Sequence, residues 1–404
     1  MGRATYVKQF IVIAALMVLL AGALNLAIDH YGLFGSTEIT GVNAKKPAAY
    51  THTRLAKEAR TRRLRPVTVL AGNSRVDVGF NPESTAWPAG MRPVVNLGVP
   101  GEGVEGSIAS LRFALAHTPA KTILVGLDFT DFIALDRGGG ADVPQSARTW
   151  EFLPETMLST SAIADSLWTV TAQADPFSPA MTAAGFNPMA DHTAIIAREG
   201  HFALADQKNR DNLHRLVSRS LSIYHPDGTL GAPLRQWQMF LEEASATGIN
   251  VVAVIYPLHA DFLQSIVLSG RDGAYRQWKQ TAAELFFRHA NPGWALWDFG
   301  VFAAETEEEI PARGDRTSRM QFWWEPGHFK AALGDVVLGQ IFGYSDGFGV
   351  QLTADTIGDH LDRQQRLAGR YAVQRRHRLW YLYGLCPAGA CERPPDTPRI
   401  TLKM

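Results

Sequence analysis

The feature that most restricts the fold of this chain is the alternation of short apolar runs with longer amphipathic stretches. Five apolar runs are too short for ordinary helices: Pro66–Ala71, Val94–Leu97, Thr122–Leu127, Asn250–Tyr256 and Trp294–Trp297. Helical patterns separate or follow them at Gly106–His117, Leu234–Thr247, Ala274–His289 and Phe329–Phe342. Strands that alternate with helices in this way predict an α/β fold with a parallel sheet of about five strands sandwiched by helices.

The composition excludes two broad classes of protein. Hydrophobic residues make up 46% of the chain and charged residues 19%, which is typical of a globular interior and not of a disordered protein. The 39 basic and 39 acidic residues cancel, so no overall charge attracts the chain to nucleic acid. The two cysteines, Cys386 and Cys391, are too few for a structural zinc site and favour a small disulfide loop in an oxidising compartment.

The N-terminal segment predicts where the protein resides. Phe10–Ile28 is apolar except for Asn25, and its 19 residues nearly match the thickness of a bilayer core, about 30 Å. A cleaved signal peptide is the alternative, with a small-residue site at Ala21–Ala23, but the apolar run continues beyond that site. Arg3 and Lys8 precede the run, which favours a cytoplasmic tail and an extracytoplasmic remainder.

These patterns divide the chain into five parts. We expect a cytoplasmic tail (1–9), a transmembrane anchor (10–28), a tether with a leading helix (29–65), an α/β domain (66–345) and a C-terminal part with a basic helix and the cysteine pair (346–404). An insertion over 130–231, with helical patterns at Ala162–Ala172 and Asn209–Ile223, interrupts the alternation and is interpreted as a cap over the active face. The basic helix, Asp355–Trp380, is either a solvated surface helix or a contact for anionic glycan or lipid.

The first predicted strand ends in a candidate nucleophile. Pro66–Ala71 is followed by Gly72-Asn73-Ser74-Arg75, which presents a serine hydroxyl at the carboxyl edge of the sheet, where α/β proteins bind ligands. A serine hydroxyl needs a base such as imidazole to remove its proton. An ordinary helix N-cap is the alternative role for Ser74.

A candidate base lies about 250 residues downstream. Glu325-Pro326-Gly327-His328 has the Pro-Gly signature of a turn, so the carboxylate of Glu325 can fold back onto the imidazole of His328. Such a contact fixes the tautomer of the imidazole and stabilises the imidazolium that forms when the serine is deprotonated. A surface turn with an unrelated histidine is the alternative.

Together with Asn96-Leu97-Gly98-Val99-Pro100-Gly101-Glu102-Gly103, these two motifs resemble the SGNH (GDSL-like) hydrolase superfamily. The similarity is to the branch of membrane-anchored proteins associated with O-acylation of cell-surface polysaccharides. The resemblance implies a flavodoxin-like parallel sheet, with Ser74 as nucleophile, His328 as base and Glu325 in the place of the usual Asp. It covers roughly residues 66–342 without the insertion.

The oxyanion site departs from the family pattern. Backbone N–H groups of Ser74 and of Gly98 or Gly101 are candidate donors, but Asp128 stands where the family has an asparagine. We expect Asp128 to be protonated, to orient another group, to cap a loop or helix, or to mark a site that does not perform ordinary ester hydrolysis. Asn73 or Asn96 is then the candidate for the side-chain amide that donates to the oxyanion.

A second histidine follows the fourth predicted strand. His259 comes after Pro257 and Leu258 at the same edge of the sheet, with Asp261 two residues further on. It is a candidate substrate-binding residue, and the alternative is a loop histidine without a chemical task.

The function expected from the resemblance is serine-dependent acyl transfer or acyl-ester hydrolysis on a cell-surface or exported polysaccharide. The expected partners are the polysaccharide acceptor, a membrane-bound O-acyltransferase and the bacterial inner membrane, with the catalytic domain in the periplasm. Neither a cofactor, a metal nor a nucleic acid is expected. The alternative is an inactive scaffold that binds glycan or an export partner, for which Asp128 is the main argument.

Overall fold

The computed structural model describes residues 3–133, 153–217, 222–376 and 378 of the 404-residue chain. Within these ranges the strands are β1 (Thr68–Ala71), β2 (Val94–Asn96), β3 (Thr122–Leu127), β4 (Asn250–Ile255), β5 (Ala295–Asp298), β6 (Trp323–Glu325), β7 (His328–Phe329) and β8 (Val350–Gln351). The helices are α1 (Arg3–Ile28), α2 (Thr53–Leu64), α3 (Ser74–Gly79), α4 (Val104–His117), α5 (Phe129–Phe132), α6 (Leu153–Leu158), α7 (Thr160–Thr171), α8 (Ala190–Glu199), α9 (His201–Val217), α10 (Ala232–Thr247), α11 (Ala260–Leu268), α12 (Asp272–His289), α13 (Ala331–Ile341) and α14 (Ile357–Gln374). The predicted disulfide between Cys386 and Cys391 lies outside the described residues.

The main sheet has six strands in the order β2-β1-β3-β4-β5-β8. The first five are parallel, and β8 pairs antiparallel with β5. The chain is therefore an α/β protein with a mostly parallel sheet flanked by helices, as predicted. Because the strands from β1 to β5 are parallel, their carboxyl ends meet at one edge of the sheet.

Each face of the sheet is buried under helices. Successive side chains of a strand point to opposite faces, so Val69 joins the hydrophobic core on one face and Leu70 the core on the other. Helices α4, α10 and α12 contribute to the first core, and α13 contributes to the second. Burial on two faces explains why the parallel strands are apolar almost without interruption.

One helix in the described part of the chain is long and apolar enough to cross a membrane, and it spans Ala4–Ile28. Most of its apolar side chains are exposed, but Asn25 near its end is fully buried. The segment that follows is folded, because the carboxylate of Asp29 accepts hydrogen bonds from the backbone N–H groups of residues 33–36.

Four of the described helices, α6 to α9, lie in the insertion, and they pack against two different parts of the molecule. Helices α6 and α7 pack against α1, whereas α9 packs against α11 and β6. The observed α9 begins at His201, eight residues before the predicted start at Asn209. At the other end of the chain, α14 buries Ile357, Leu361 and Tyr371 against the domain, and much of the rest of its surface is solvent-exposed.

Candidate active site

The turn after β1 places Ser74 at the carboxyl edge of the sheet. Ser74 is the first residue of α3, so its backbone N–H has no acceptor within the helix. Gly72 and Gly126 are required here, because a Cβ atom on either would overlap the hydroxyl of Tyr256. Tyr256, which follows β4 and is buried, thus forms a floor beneath the turn.

Asn73 holds the turn in place. Its Oδ1 accepts a hydrogen bond from the backbone N–H of Arg75 at 2.9 Å and caps α3. Its Nδ2 donates to Asp128 at 2.7 Å and to Asp131 at 3.0 Å. Both protons of the carboxamide are therefore used, and Asn73 lines the site without a free donor for an oxyanion.

Ser74, His328 and Glu325 form a connected triad. Ser74 Oγ lies 2.7 Å from Nε2 of His328, and Nδ1 of the same ring is hydrogen-bonded to Oε1 of Glu325. A carboxylate only accepts, so Nδ1 carries a proton and Nε2 is left to accept the proton of the serine. Ser74 and His328 are 254 positions apart in the sequence, and the fold brings them into hydrogen-bond contact.

Glu325 is held in its ionised form. It is 1% exposed, and burial alone raises the pKa of a carboxyl group. The charge and hydrogen bond of His328, together with the N–H of Gly327 at 2.8 Å, outweigh burial and lower the pKa of Glu325 to about 2. The triad thus has an anionic member throughout the neutral pH range.

Three contacts fix the turn that carries His328. Arg75 Nε donates to the carbonyl of Gly327 at 2.7 Å, and the backbone N–H of His259 donates to the carbonyl of Pro326 at 3.1 Å. His201, at the start of α9, has Nε2 2.9 Å from the carbonyl of Trp324. Burial lowers the pKa of His201 to about 4, so this ring is neutral at pH 7 and donates through Nε2.

Asp128 caps a helix and forms a buried ion pair, which is one of the roles that the sequence left open. Its Oδ1 accepts from the backbone N–H of Thr130 at 3.0 Å at the start of α5, and its Oδ2 pairs with the guanidinium of Arg75. Burial lowers the pKa of Arg75 and the charge of Asp131 opposes this effect, so the guanidinium keeps its charge. Asp128 therefore orients Arg75 and Asn73 and is not itself a donor to an oxyanion.

Asn96 and Gly98 lie behind the cavity and support its wall, which corrects their predicted role as oxyanion donors. Asn96 is fully buried, and its Nδ2 donates to the carbonyls of Val76 and Phe80. The N–H of Gly98 donates to Oδ1 of Asn96 at 2.9 Å, so neither group is free. Burial lowers the pKa of Lys57, which contacts Asp77, Asn96 and Gly98 from α2.

His259 does not line the cavity, which corrects its predicted role as a substrate-binding residue. It is 1% exposed, its Nδ1 accepts from the backbone N–H of Asp261 at 3.2 Å and its Nε2 lies 2.8 Å from the carbonyl of Glu308. Both ring nitrogens are used within the protein, and burial lowers the pKa of the ring. His259 caps α11 and supports the neighbouring turn.

The triad opens into a cavity of about 420 Å³ between the sheet edge and the insertion. Of the predicted residues, Asn73, Ser74, Gly101, Asp128 and His328 line it. Arg75, Asn212 and Arg215 also line it, and sequence reasoning did not identify them. Nδ2 of Asn212 is buried and has no hydrogen-bond partner among the residues that the structure describes. The Gly-x-Ser-Arg run could have drawn attention to Arg75, but nothing in the sequence signals that α9 reaches this cavity.

Comparison of the chain with models of known protein families, with curated proteins and with solved structures finds no match. Within the described ranges, no group of three His, Cys, Asp or Glu side chains is arranged to hold a metal ion. The geometry of the site therefore carries the functional argument alone.

Proposed function

We propose that this protein performs serine-dependent acyl transfer or acyl-ester hydrolysis through Ser74, His328 and Glu325. The observation that carries the proposal is the 2.7 Å contact between Ser74 Oγ and His328 Nε2, with Glu325 on the opposite ring nitrogen. Three side chains from two distant parts of the chain meet in the order nucleophile, base and carboxylate. They meet at the edge of the sheet where α/β proteins bind ligands.

In the first half-reaction, Nε2 of His328 takes the proton of the Ser74 hydroxyl while Oγ attacks the carbonyl carbon of the acyl donor. The C–O bond of the donor breaks, the imidazolium returns the proton to the leaving oxygen, and an acyl-serine remains. In the second half-reaction, an acceptor hydroxyl or water loses its proton to His328 and attacks the acyl-serine. Oγ leaves and regains the proton, so the enzyme returns to its starting state.

The negative charge of each tetrahedral intermediate needs donors in the cavity. The backbone N–H of Ser74 at the start of α3 is one candidate, and Nδ2 of Asn212 is a second, because it is buried in the cavity wall without an acceptor among the described residues. A preorganised donor of this kind is worth roughly 3 kcal/mol. Asn212 would then supply the amide that Asp128 cannot.

The proposed acceptor is a hydroxyl group of a cell-surface or exported polysaccharide. The resemblance of the motifs to the SGNH branch associated with O-acylation of such polysaccharides supports this choice. We propose further that the sheet, with the strand order β2-β1-β3-β4-β5, is of the flavodoxin-like type. We propose that α1 anchors the protein in the bacterial inner membrane, that the α/β domain lies in the periplasm, and that a membrane-bound O-acyltransferase delivers the acyl group.

Acylation of the purified chain tests the proposal. A nitrophenyl acyl ester is expected to release nitrophenol and to leave an acyl group on Ser74, located by mass spectrometry of peptides. Ser74→Ala is expected to lower the rate about 10⁴-fold or more, as removal of a triad nucleophile does. Ser318→Ala, at an exposed serine outside the cavity, is the matched control.

Two outcomes of this experiment separate the alternatives. Equal rates for wild type and Ser74→Ala, without an adduct, would contradict the proposed chemistry and favour a glycan-binding scaffold. If the adduct forms, addition of an oligosaccharide distinguishes the two reactions, because transfer yields acylated sugar and hydrolysis yields the free acid.

A further inference from the structure

Helices α6 and α7 form a hairpin in which α7 exposes its largest apolar side chains and buries small and polar ones. On α7, the side chains that face inward are small or polar and include Ala162, Ser166 and Thr169. The outward face of the second half of α7 carries Leu167 (58% exposed), Trp168 (42%) and Val170 (39%), whereas the exposed residues of its first turn include Ser161. A helix at a water-exposed surface shows the reverse arrangement, with its apolar side chains directed to the core.

The same reversal occurs in α1, and a hydrogen bond connects the two helices. Asn25 is fully buried, whereas its neighbours Leu24 and Leu26 are exposed. Oγ of Ser166 donates to Oδ1 of Asn25 at 2.7 Å, and Nδ2 of Asn25 donates to the carbonyl of Met157 at 2.8 Å. The hairpin thus satisfies the polar side chain of the apolar helix, as neighbouring helices do within a bilayer.

The tip of the hairpin contacts α1 at a point some distance before the C-terminal end of that helix. Leu158, at the end of α6, packs at Gly22, where a Cβ atom would lie 3.4 Å from its side chain. Gly22 is six residues before Ile28, the last residue of α1, which corresponds to about 9 Å along a helix. Interfacial helices immerse their apolar face by about 5–10 Å. Asp165 of the hairpin is satisfied by the hydroxyl of Tyr31, beyond the end of α1.

We infer that the hairpin α6–α7 is a second membrane contact, which inserts its apolar face into the outer leaflet-water boundary beside α1. The occupant of this face is phospholipid, with the acyl chains against Leu158 and Leu167 and the indole of Trp168 at headgroup depth. The argument for lipid is adjacency: the exposed apolar side chains of the hairpin lie on helices that pack against α1, whose own apolar side chains, including Leu24, are exposed. The inference rests on the proposed anchoring of α1 and not on the proposed chemistry.

Site-specific fluorescence on the full-length chain tests this inference. In a background with Cys386→Ser and Cys391→Ser, the variants Leu167→Cys and Val170→Cys are labelled with an environment-sensitive fluorophore. The chain is then reconstituted in vesicles of phosphatidylethanolamine and phosphatidylglycerol. Leu20→Cys in α1 is the lipid-exposed reference. Met239→Cys on α10, at an exposed apolar side chain outside the basic helix, is the water-exposed control.

Labels at 167 and 170 are expected to lie at a depth between the label at 20 and the label at 239. Their quenching by aqueous iodide should be several-fold weaker than at 239, and their quenching by brominated lipid chains should be several-fold stronger. Labels at 167 and 170 that match the label at 239 in both measurements would overturn the inference. Protection from iodide in native membranes but not in pure phospholipid vesicles would assign the face to a protein partner and overturn it equally. If the label at 20 is also exposed to iodide, the anchoring of α1 fails, and acylation of Ser74 remains a separate question.

Discussion

Two buried carboxylates at the same edge of the sheet, Glu325 and Asp128, each pair with a basic side chain but have different chemical capacities. Glu325 pairs with an imidazole, which gains and loses a proton near neutral pH, whereas Asp128 pairs with a guanidinium, which does not. The first pair can therefore take part in proton transfer, and the second is a fixed charge pair. The partner, and not the carboxylate, determines what each position does.

Arg75 connects the two pairs. Its guanidinium pairs with Asp128 through Nη1 and donates through Nε to the carbonyl of Gly327 in the turn that carries His328. The fixed pair thereby positions the reactive pair. The comparison leads to four predictions, which are ordered by the size of the expected effect.

Glu325→Gln is expected to have the largest effect and to act on the rate. The amide cannot hold the imidazole in the required tautomer or stabilise the imidazolium, so acylation of Ser74 should slow about 10⁴-fold. The measurement is kcat/KM for a nitrophenyl ester, with Glu325→Asp as the control that retains the charge. A rate for Glu325→Gln within about tenfold of wild type would show that Glu325 only supports the turn.

Asp128→Asn is expected to act mainly on stability. The substitution removes the carboxylate that pairs directly with the buried guanidinium of Arg75, so the free energy of unfolding should fall by about 3 kcal/mol, with the charge of Asp131 limiting the loss. The matched control is Glu243→Gln, which breaks the exposed pair with Arg112 and should cost less than about 1 kcal/mol. Chemical denaturation measures both. An Asp128→Asn protein that is as stable as wild type and acylates faster would instead identify position 128 as an oxyanion site.

The pH dependence of stability should distinguish the titratable pair, Glu325 and His328, from the fixed pair of Asp128 and Arg75. The pKa of Glu325 is lowered to about 2 in the folded protein from 4.5, so between these values the unfolded chain binds more protons. The contribution of Glu325 is therefore fully present above pH 4.5 and is lost as the pH falls towards 2.

The difference in the free energy of unfolding between wild type and Glu325→Gln measures this contribution. It should grow by about 3 kcal/mol across that window and level off above it. A difference that does not change with pH would contradict the lowered pKa.

His259→Asn is expected to have the smallest effect. His259 is also close to a carboxylate, with Nδ1 4.0 Å from Asp261, but it faces no nucleophile and its ring is buried. Asparagine can still cap α11, so the substitution should remove only the contact with the carbonyl of Glu308 and cost about 1 kcal/mol. The value of kcat/KM should remain close to that of wild type. A large loss of activity with unchanged stability would return His259 to the substrate-binding residues.

The sequence predicted the parts of the fold that depend on local patterns. Thr122–Leu127 has the predicted bounds of β3, and the other four parallel strands start or end within two residues of the predicted positions. Strand β8 was not predicted, because a two-residue antiparallel strand has no periodicity of its own. The start of α9 was predicted too late, since its first turn depends on tertiary contacts such as that of His201 with the carbonyl of Trp324.

The candidate site was predictable only where a motif and its neighbours in sequence carry the chemistry. Ser74 and the turn from Glu325 to His328 satisfy this condition, and the fold brings them together. The role of Asp128 depends on a contact with Arg75 across 53 positions, and Asn212 enters the cavity from a helix in the insertion. Neither contact leaves a periodic or compositional trace in the sequence.

The cavity combines a floor that cannot vary with a wall that can. Because Tyr256 occupies the space that side chains at positions 72 and 126 would need, the floor admits only glycine there. Helix α9 is less restricted at Arg215, which lines the cavity and is exposed, although the start of the helix at His201 supports the turn that carries His328. Divergence among descendants of this chain should therefore concentrate at exposed cavity positions of the insertion, so that a new acceptor is acquired by substitution there while the reactive edge is inherited intact.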